Sequence, residues 1–228
     1  HAHAAACLAE NGWPLDGPAV LGVVLDGLGL GDDGALRGGE FLLADYRHAT
    51  RVGTLKPVAM IGGDQASREP WRNLYAQIVA EMGWPAFVSR FGELEVHRRL
   101  SEKPLRVIDR MLAVGLNVPL ASSCGRLFDA VAAAVGVAFE RQDYEGQAGA
   151  MLESLVDEEA LHDEAEELAY GFTIAPLDGT GLPCVQAGAM WCALFEDLVR
   201  ATPPGIVAAR FHRGLARVIT GMAVELKG

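Results

Sequence analysis

The sequence predicts an α/β fold in α+β layers, with strands first and helices after them. Three observations predict it. Apolar runs at residues 19–26, 35–46 and 49–56 are separated by turn residues and fit strands. From about residue 64 onward, apolar side chains recur at helical spacing. With 228 residues, half of them hydrophobic, the chain can fill a core beneath such layers.

Taken in order, residues 1–13 read as a helix, because Ala4, Ala5, Ala6, Leu8 and Ala9 are strong helix formers and Asn11-Gly12 ends it. The three strands follow as an antiparallel meander, turned by Asp32-Asp33-Gly34 and then by Arg47-His48. A loop carrying Pro57 and Gly62-Gly63 leads to a helix over about 64–82, which Pro70 breaks near Glu69. Further helices are expected at 93–100, at 104–114 with Gly115 as cap, at 124–135 behind Ser123 as N-cap, and at 144–158. Residues 160–185 are acidic and then turn-rich, so they read as a surface insertion with a short strand near 170–174. Helices at 188–201 and 205–226 close the chain. The expected organisation is one domain over 1–228, with a β-meander in 1–63 and a mainly helical part in 64–228.

The stretch from Val23 to Phe41 carries the most chemistry. An apolar strand runs into Asp26, and Gly27, Gly29 and Gly31 follow at once. Glycines let backbone N–H groups approach an anion with no Cβ in the way, and an aspartate at a strand end suits a metal-phosphate group. The pattern resembles the phosphate hairpin of the actin-like ATPases, not the strand-loop-helix of a P-loop. It reads equally as a plain hairpin turned by Asp-Asp-Gly, with Asp26 capping the loop.

Thirty acidic against 19 basic residues give a net charge of −11, which argues against a nucleic-acid partner. A single nucleotide is still compatible, because a few amides and one cation hold it. No window reaches the roughly 18 unbroken apolar residues of a membrane span, and residues 1–25 lack the pattern of a signal peptide. Cys7, Cys124, Cys184 and Cys192 form no CxxC pair and match neither a zinc site nor a disulfide framework. They read as reduced thiols of a cytoplasmic protein, with Cys7 and Cys124 packing rather than reacting. The ends, His1-Ala2-His3 and Glu225 to Gly228, read as cuts within a longer protein, and a sheet edge left open there favours a homodimer.

Seven segments together resemble one family, in order and over nearly the whole chain. They are His1 to Ala5, Leu25 to Gly34, Gly38 to Phe41, Gly62 to Arg72, Ser122 to Ala130, Tyr144 to Ala148 and Ala209 to Ala216. The family is that of the HypF carbamoyltransferases of nickel–iron hydrogenase maturation. The resemblance implies a fragment of the C-terminal transfer domain, with the actin-like, ribonuclease H-like two-lobed fold truncated at both ends. In that family carbamoyl phosphate and ATP give a carbamoyl-adenylate. The transfer domain passes the carbamoyl group to the C-terminal cysteine of a partner protein, HypE. An O-carbamoyltransferase acting on a small-molecule hydroxyl, or an inactive fragment that only binds a partner, are the alternatives.

The resemblance also implies site residues. Asp26 would hold a divalent metal (magnesium, iron or zinc) beside the phosphate, and His3 is the later ligand of the family's histidine motif. Gly27, Gly29 and Gly31 would present amides to the phosphate of ATP or carbamoyl-AMP. Ser123, Gly125, Arg126 and Asp129 surround a helix N-terminus suited to an anion or a ribose, with Gly125 and Asp129 as nucleoside contacts. A capped helix carrying an Arg126–Asp129 surface pair is the alternative there. Glu145 suits the dipole at the start of the following helix and lines the same cleft.

Overall fold

The computed structural model describes residues 1–31 and 33–227, so Asp32 of the expected first turn lies outside the described residues. Helix α1 (Ala2–Glu10) ends on Asn11 and Gly12. Strands β1 (Val20–Leu30), β2 (Leu36–Ala44) and β3 (Ala49–Leu55) form the expected antiparallel meander. Strands β4 (Val58–Ala59), β5 (Leu120–Ala121), β6 (Thr173–Pro176) and β7 (Pro183–Gln186) enlarge it. The sheet runs β4-β5-β2-β3-β7-β6, with β1 paired to β2.

Two of these pairings are parallel. β5 meets β2 at Leu36–Ala121, and β7 meets β3 at Thr54–Cys184 and Leu55–Val185. The expectation of a surface insertion over 160–185 is thereby corrected. Its second half supplies β6 and most of β7, and Cys184 and Val185 are buried beside β3. The β6–β7 hairpin is local, but its attachment to the sheet through a parallel partner far away in sequence has no local signal.

Among the helices, Pro70 breaks the expected 64–82 segment as foreseen. A 3₁₀ turn (Gly63–Ser67) comes before it, and α2 (Pro70–Glu81) begins on the proline. Helix α3 (Trp84–Phe91) was not expected; Pro85 sits in its first turn, where no amide partner is needed. Then come α4 (Glu95–Ser101) and α5 (Leu105–Val114), which stops at Gly115 with φ 70°. Helix α6 (Cys124–Ala134) follows its expected cap. The single helix expected over 144–158 is two, α7 (Gln147–Ser154) and α8 (Glu158–His162). Asp157 accepts the Ala160 amide at 2.8 Å and so starts a new helix instead of extending the old one. Helices α9 (Gly188–Val199) and α10 (Pro204–Lys227) end the chain.

One face of the sheet carries the main core. Phe41 and Leu55 pack with Leu74, Tyr75 and Ile78 of α2, Val131 of α6, Trp191 and Phe195 of α9, and Phe211 of α10. Each such side chain contributes about 1.5–3 kcal/mol by leaving water. Because strand side chains alternate, Leu42 and Ala44 point the other way, where with Ala4 they form a small cluster under α1. The sheet thus seats α1 and α6 on either side of β1, and their ends converge at the β1–β2 hairpin.

Candidate functional site at the hairpin and the start of helix α6

The β1–β2 ladder pairs Leu25 with Gly39 and resumes at Gly29 with Arg37. Asp26, Gly27 and Leu28 therefore face the single residue Gly38, which makes a bulge. Strand β1 does not end at Asp26 as expected but runs through this bulge to Leu30. His3 Nε2 and Asp26 Oδ2 lie 3.2 Å apart, so the two expected metal ligands are brought together by α1 and the bulge. The expectation for the hairpin amides is corrected in part. The Gly27 amide donates to Asp26 Oδ1 at 2.6 Å, and the Gly31 amide closes the turn on Ala35 O at 2.9 Å. Gly29 sits back in the ladder opposite Arg37.

The donor set can be tested for fit to a cation. It holds one imidazole and one carboxylate, and among the described residues no group of three or more His, Cys, Asp or Glu side chains stands ready for a metal. That is half of what a structural zinc site takes. Imidazole with carboxylate fits iron, zinc or manganese completed by water and phosphate, whereas magnesium would be held by Asp26 alone with water and phosphate.

Beneath the bulge lies the first turn of α6. Ser123 caps it by accepting the Arg126 amide at 3.0 Å, and its hydroxyl donates to Gly27 O. A Cβ on Gly125 would stand 2.8 Å from the Gly27 Cα, and one on Gly38 would stand 2.6 Å from Asp26 O. The glycine at 125 therefore makes room for the strand's backbone.

Asp129 is corrected as well. It is 1% exposed and Arg126 is 5% exposed, so the pair is neither a surface pair nor open to a ribose. Arg126 Nε approaches Asp129 Oδ2 to 2.6 Å, and Gln142 and Asn73 donate to the same oxygen at 3.3 and 3.4 Å. Burial pushes the Asp129 carboxyl up to about 6, and the Arg126 charge offsets this only in part. Arg126 Nη1 also donates to Ser67 Oγ at 2.6 Å.

Above this buried frame opens a cleft of about 490 Å³, lined by Leu28, Ser67, Arg68, Gln142, Tyr144 and Glu145 among others. Glu145 does reach the site: its Oε1 stands where a side chain on Gly27 would be and lies 4.0 Å from Arg126 Nη1. Gln142 was missed by the sequence reading. It is 3% exposed and holds the cleft loop, donating to Ser67 O at 2.7 Å and accepting the Ala148 amide at 3.0 Å. Tyr144 offers an exposed ring at the cleft, and Arg68 and Arg141 offer cations. Arg72 pairs with Glu69 and lies 4.6 Å from the Trp71 ring centre, a knot away from the cleft lining.

Neither buried cysteine is set as a nucleophile. Burial pushes the Cys124 thiol up to about 12 and the Cys184 thiol up to about 11. Cys7 is exposed, which corrects its expected packing role, while Cys124 is buried as expected.

The comparisons with known proteins agree with this architecture. The family profile described as carbamoyltransferase, Kae1-like domain, second subdomain, matches residues 22–228. The carbamoyltransferase HypF of Rhodobacter capsulatus is 42% identical over 99% of the chain and 27% of its own length. HypF2 of Cupriavidus necator is 43% identical over 98% of the chain and 28% of its own length. The chain thus spans little more than a quarter of these relatives. The crystal structure of full-length HypF in its phosphate- and nucleotide-bound form superposes with a TM-score of 0.84 and 28% identity, covering all of this chain and 27% of that one. HypF of T. kodakarensis superposes with a TM-score of 0.70 and 29% identity, over 91% of this chain and 26% of that one. The mixed sheet with its helices is the expected actin-like, ribonuclease H-like α/β fold, and no described helix is long and apolar enough to cross a membrane. The chain belongs to the HypF carbamoyltransferase family, which it matches over the second subdomain of the Kae1-like domain.

Proposed function

We propose that this chain is the nucleotide-holding part of a carbamoyl-transfer centre, which takes a carbamoyl group from carbamoyl-AMP to the C-terminal cysteine of HypE. The observation that carries the reading is a cleft lined by Leu28 of the bulge and by Glu145, with the Ser123 cap holding that bulge in place through Gly27 O. That a relative has been crystallised in a phosphate- and nucleotide-bound form supports it.

In this reading the phosphate of the adenylate lies at the bulge. The nucleoside extends along the cleft, with its base on the Tyr144 ring and its ribose hydroxyls on Glu145. His3 and Asp26 would hold a divalent cation there, and its charge would stabilise the departing phosphate. The incoming thiolate attacks the carbamoyl carbon. A C–S bond forms, the C–O bond to AMP breaks, and the phosphate leaves with the electron pair. The chain contributes orientation and charge rather than a nucleophile, consistent with the raised thiols of Cys124 and Cys184.

Asp26→Asn tests this, because Asn retains an oxygen for the Gly27 amide while the charge is lost. Calorimetric titration with ATP and magnesium is expected to show affinity at least about tenfold weaker with the melting temperature kept. Thiocarbamate formation on HypE by the complete transferase is expected to be lost with it. Affinity and transfer equal to those of the wild type would overturn the assignment.

A further inference from the structure

Glu40 has a place that the transfer reading does not use. It is a carboxylate inside a β-sheet, 5% exposed. Arg51 Nε donates to it from β3, and Thr54 Oγ1 does so at 3.3 Å. The Ser122 hydroxyl donates to it from the junction between β5 and α6. A buried carboxylate is a costly way to join strands, and apolar side chains of the same size do that as well. What a carboxylate adds is direction, because it fixes the donors around it.

The donor that matters is Ser122, next in sequence to the cap Ser123, whose hydroxyl holds Gly27 O in the bulge. The neighbouring backbone contacts follow the same line. A Cβ on Gly39 would stand 2.6 Å from Ser122 O, and one on Gly38 would stand 3.1 Å from the Ser123 Cα. The three successive residues Gly38, Gly39 and Glu40 thus form a seat for Ser122 and Ser123. The bulge hangs from that seat.

We propose that Glu40 is a positioning residue for the phosphate hairpin, acting through Ser122 and Ser123 on the carbonyls of Asp26 and Gly27. The claim about hairpin geometry stands on these contacts alone; its consequence for nucleotide affinity rests on the transfer reading above.

Thr54→Val supplies the control. It is isosteric and removes a hydroxyl bonded to the same carboxylate, but on β3, away from the junction. Ser122→Ala removes the junction's hydroxyl and little else. Amide hydrogen exchange at Gly27 to Gly29 is expected to speed up about tenfold in Ser122→Ala and to remain unchanged in Thr54→Val, although both lower the melting temperature. Glu40→Gln, which turns an acceptor into a donor, reads the same link from its other end and is expected to match Ser122→Ala. ATP affinity with magnesium is expected to fall about tenfold in Ser122→Ala and Glu40→Gln only. Exchange at the hairpin that is equal in all three variants, whether changed or not, overturns the proposal. Faster exchange in Ser122→Ala in a chain whose wild type binds no ATP leaves Glu40 as the positioning residue and overturns the nucleotide reading instead.

Discussion

The floor beneath the cleft and the rim around it hold their charges in opposite ways. On the floor, the Arg126 and Asp129 side chains are 6% and 2% exposed; Gln142 and Asn73 donate to Asp129 Oδ2, and Arg126 Nη1 donates to Ser67. On the rim, Arg68 and Asp64 meet at 3.2 Å with their side chains 61% and 81% exposed. Coulomb attraction is larger on the floor, but so is the cost of taking the charges out of water. A floor pair therefore cannot be half removed, while a rim pair exchanges protein partners for water at little cost. Charges of the first kind hold a frame, and charges of the second kind remain free to meet a ligand.

The strongest way to break this comparison is Arg126→Ala. It leaves Asp129 buried without its cation, which is expected to cost about 3–5 kcal/mol in urea unfolding. Replacing both residues by leucine is expected to cost less than that single change, since no charge stays orphaned. A loss under about 1 kcal/mol for Arg126→Ala would place the floor in the same class as the rim.

The pH dependence sharpens the same point. Folding raises the Asp129 carboxyl from 3.8 to about 6, so between those values the folded state binds the extra proton. The contribution of this group is full below about pH 4 and is lost as the pH climbs through 6, a change of about 3 kcal/mol at 1.36 kcal/mol per unit. The difference in unfolding free energy between wild type and Asp129→Asn is expected to drift by that amount across this range. A difference that stays flat with pH would show that Arg126 fully offsets the burial.

How legible all this is in the sequence differs in the same way. The α6 cap, the break at Pro70 and the stop at Gly115 were readable because each acts within a few residues. The His3–Asp26 meeting was readable only by family resemblance, since it depends on how α1 crosses β1. The burial of Asp129 was not readable, because its partners Asn73 and Gln142 lie on other elements and each looks like an ordinary polar residue. Strand β7 pairs locally with β6, but what ties that hairpin into the sheet was hidden for a related reason: the other partner, β3, is non-local and parallel. The glycines show the limit most clearly. Their spacing marked close approach correctly, but it did not say to what: at Gly125 a Cβ would meet the Gly27 backbone.

On the rim the expected effects shift from stability to binding. Tyr144 is 62% exposed, so Tyr144→Ala is expected to change unfolding by less than about 0.5 kcal/mol. If its ring carries the base, ATP affinity falls by about 1–3 kcal/mol, the range of one base stacked on an aromatic side chain. Equal affinity in calorimetry would remove Tyr144 from the site.

The smallest effect is expected at Arg68. Its pair with Asp64 is spaced i,i+4 across the 3₁₀ turn and open to solvent on both sides. Two long hydrated side chains gain little by meeting, so Arg68→Ala is expected to change unfolding free energy by no more than about 0.5 kcal/mol. At 1 M salt the screening length is about 3 Å, comparable with the pair's own separation, so even that difference is expected to vanish. Unfolding curves of wild type and variant at low and high salt make the check. A loss above about 1 kcal/mol that persists in high salt would mean that Arg68 is held as firmly as Arg126. The rim would then be part of the frame, and the cleft's freedom to accept a ligand would have to be sought in its other exposed groups, Arg141, Tyr144 and Glu145.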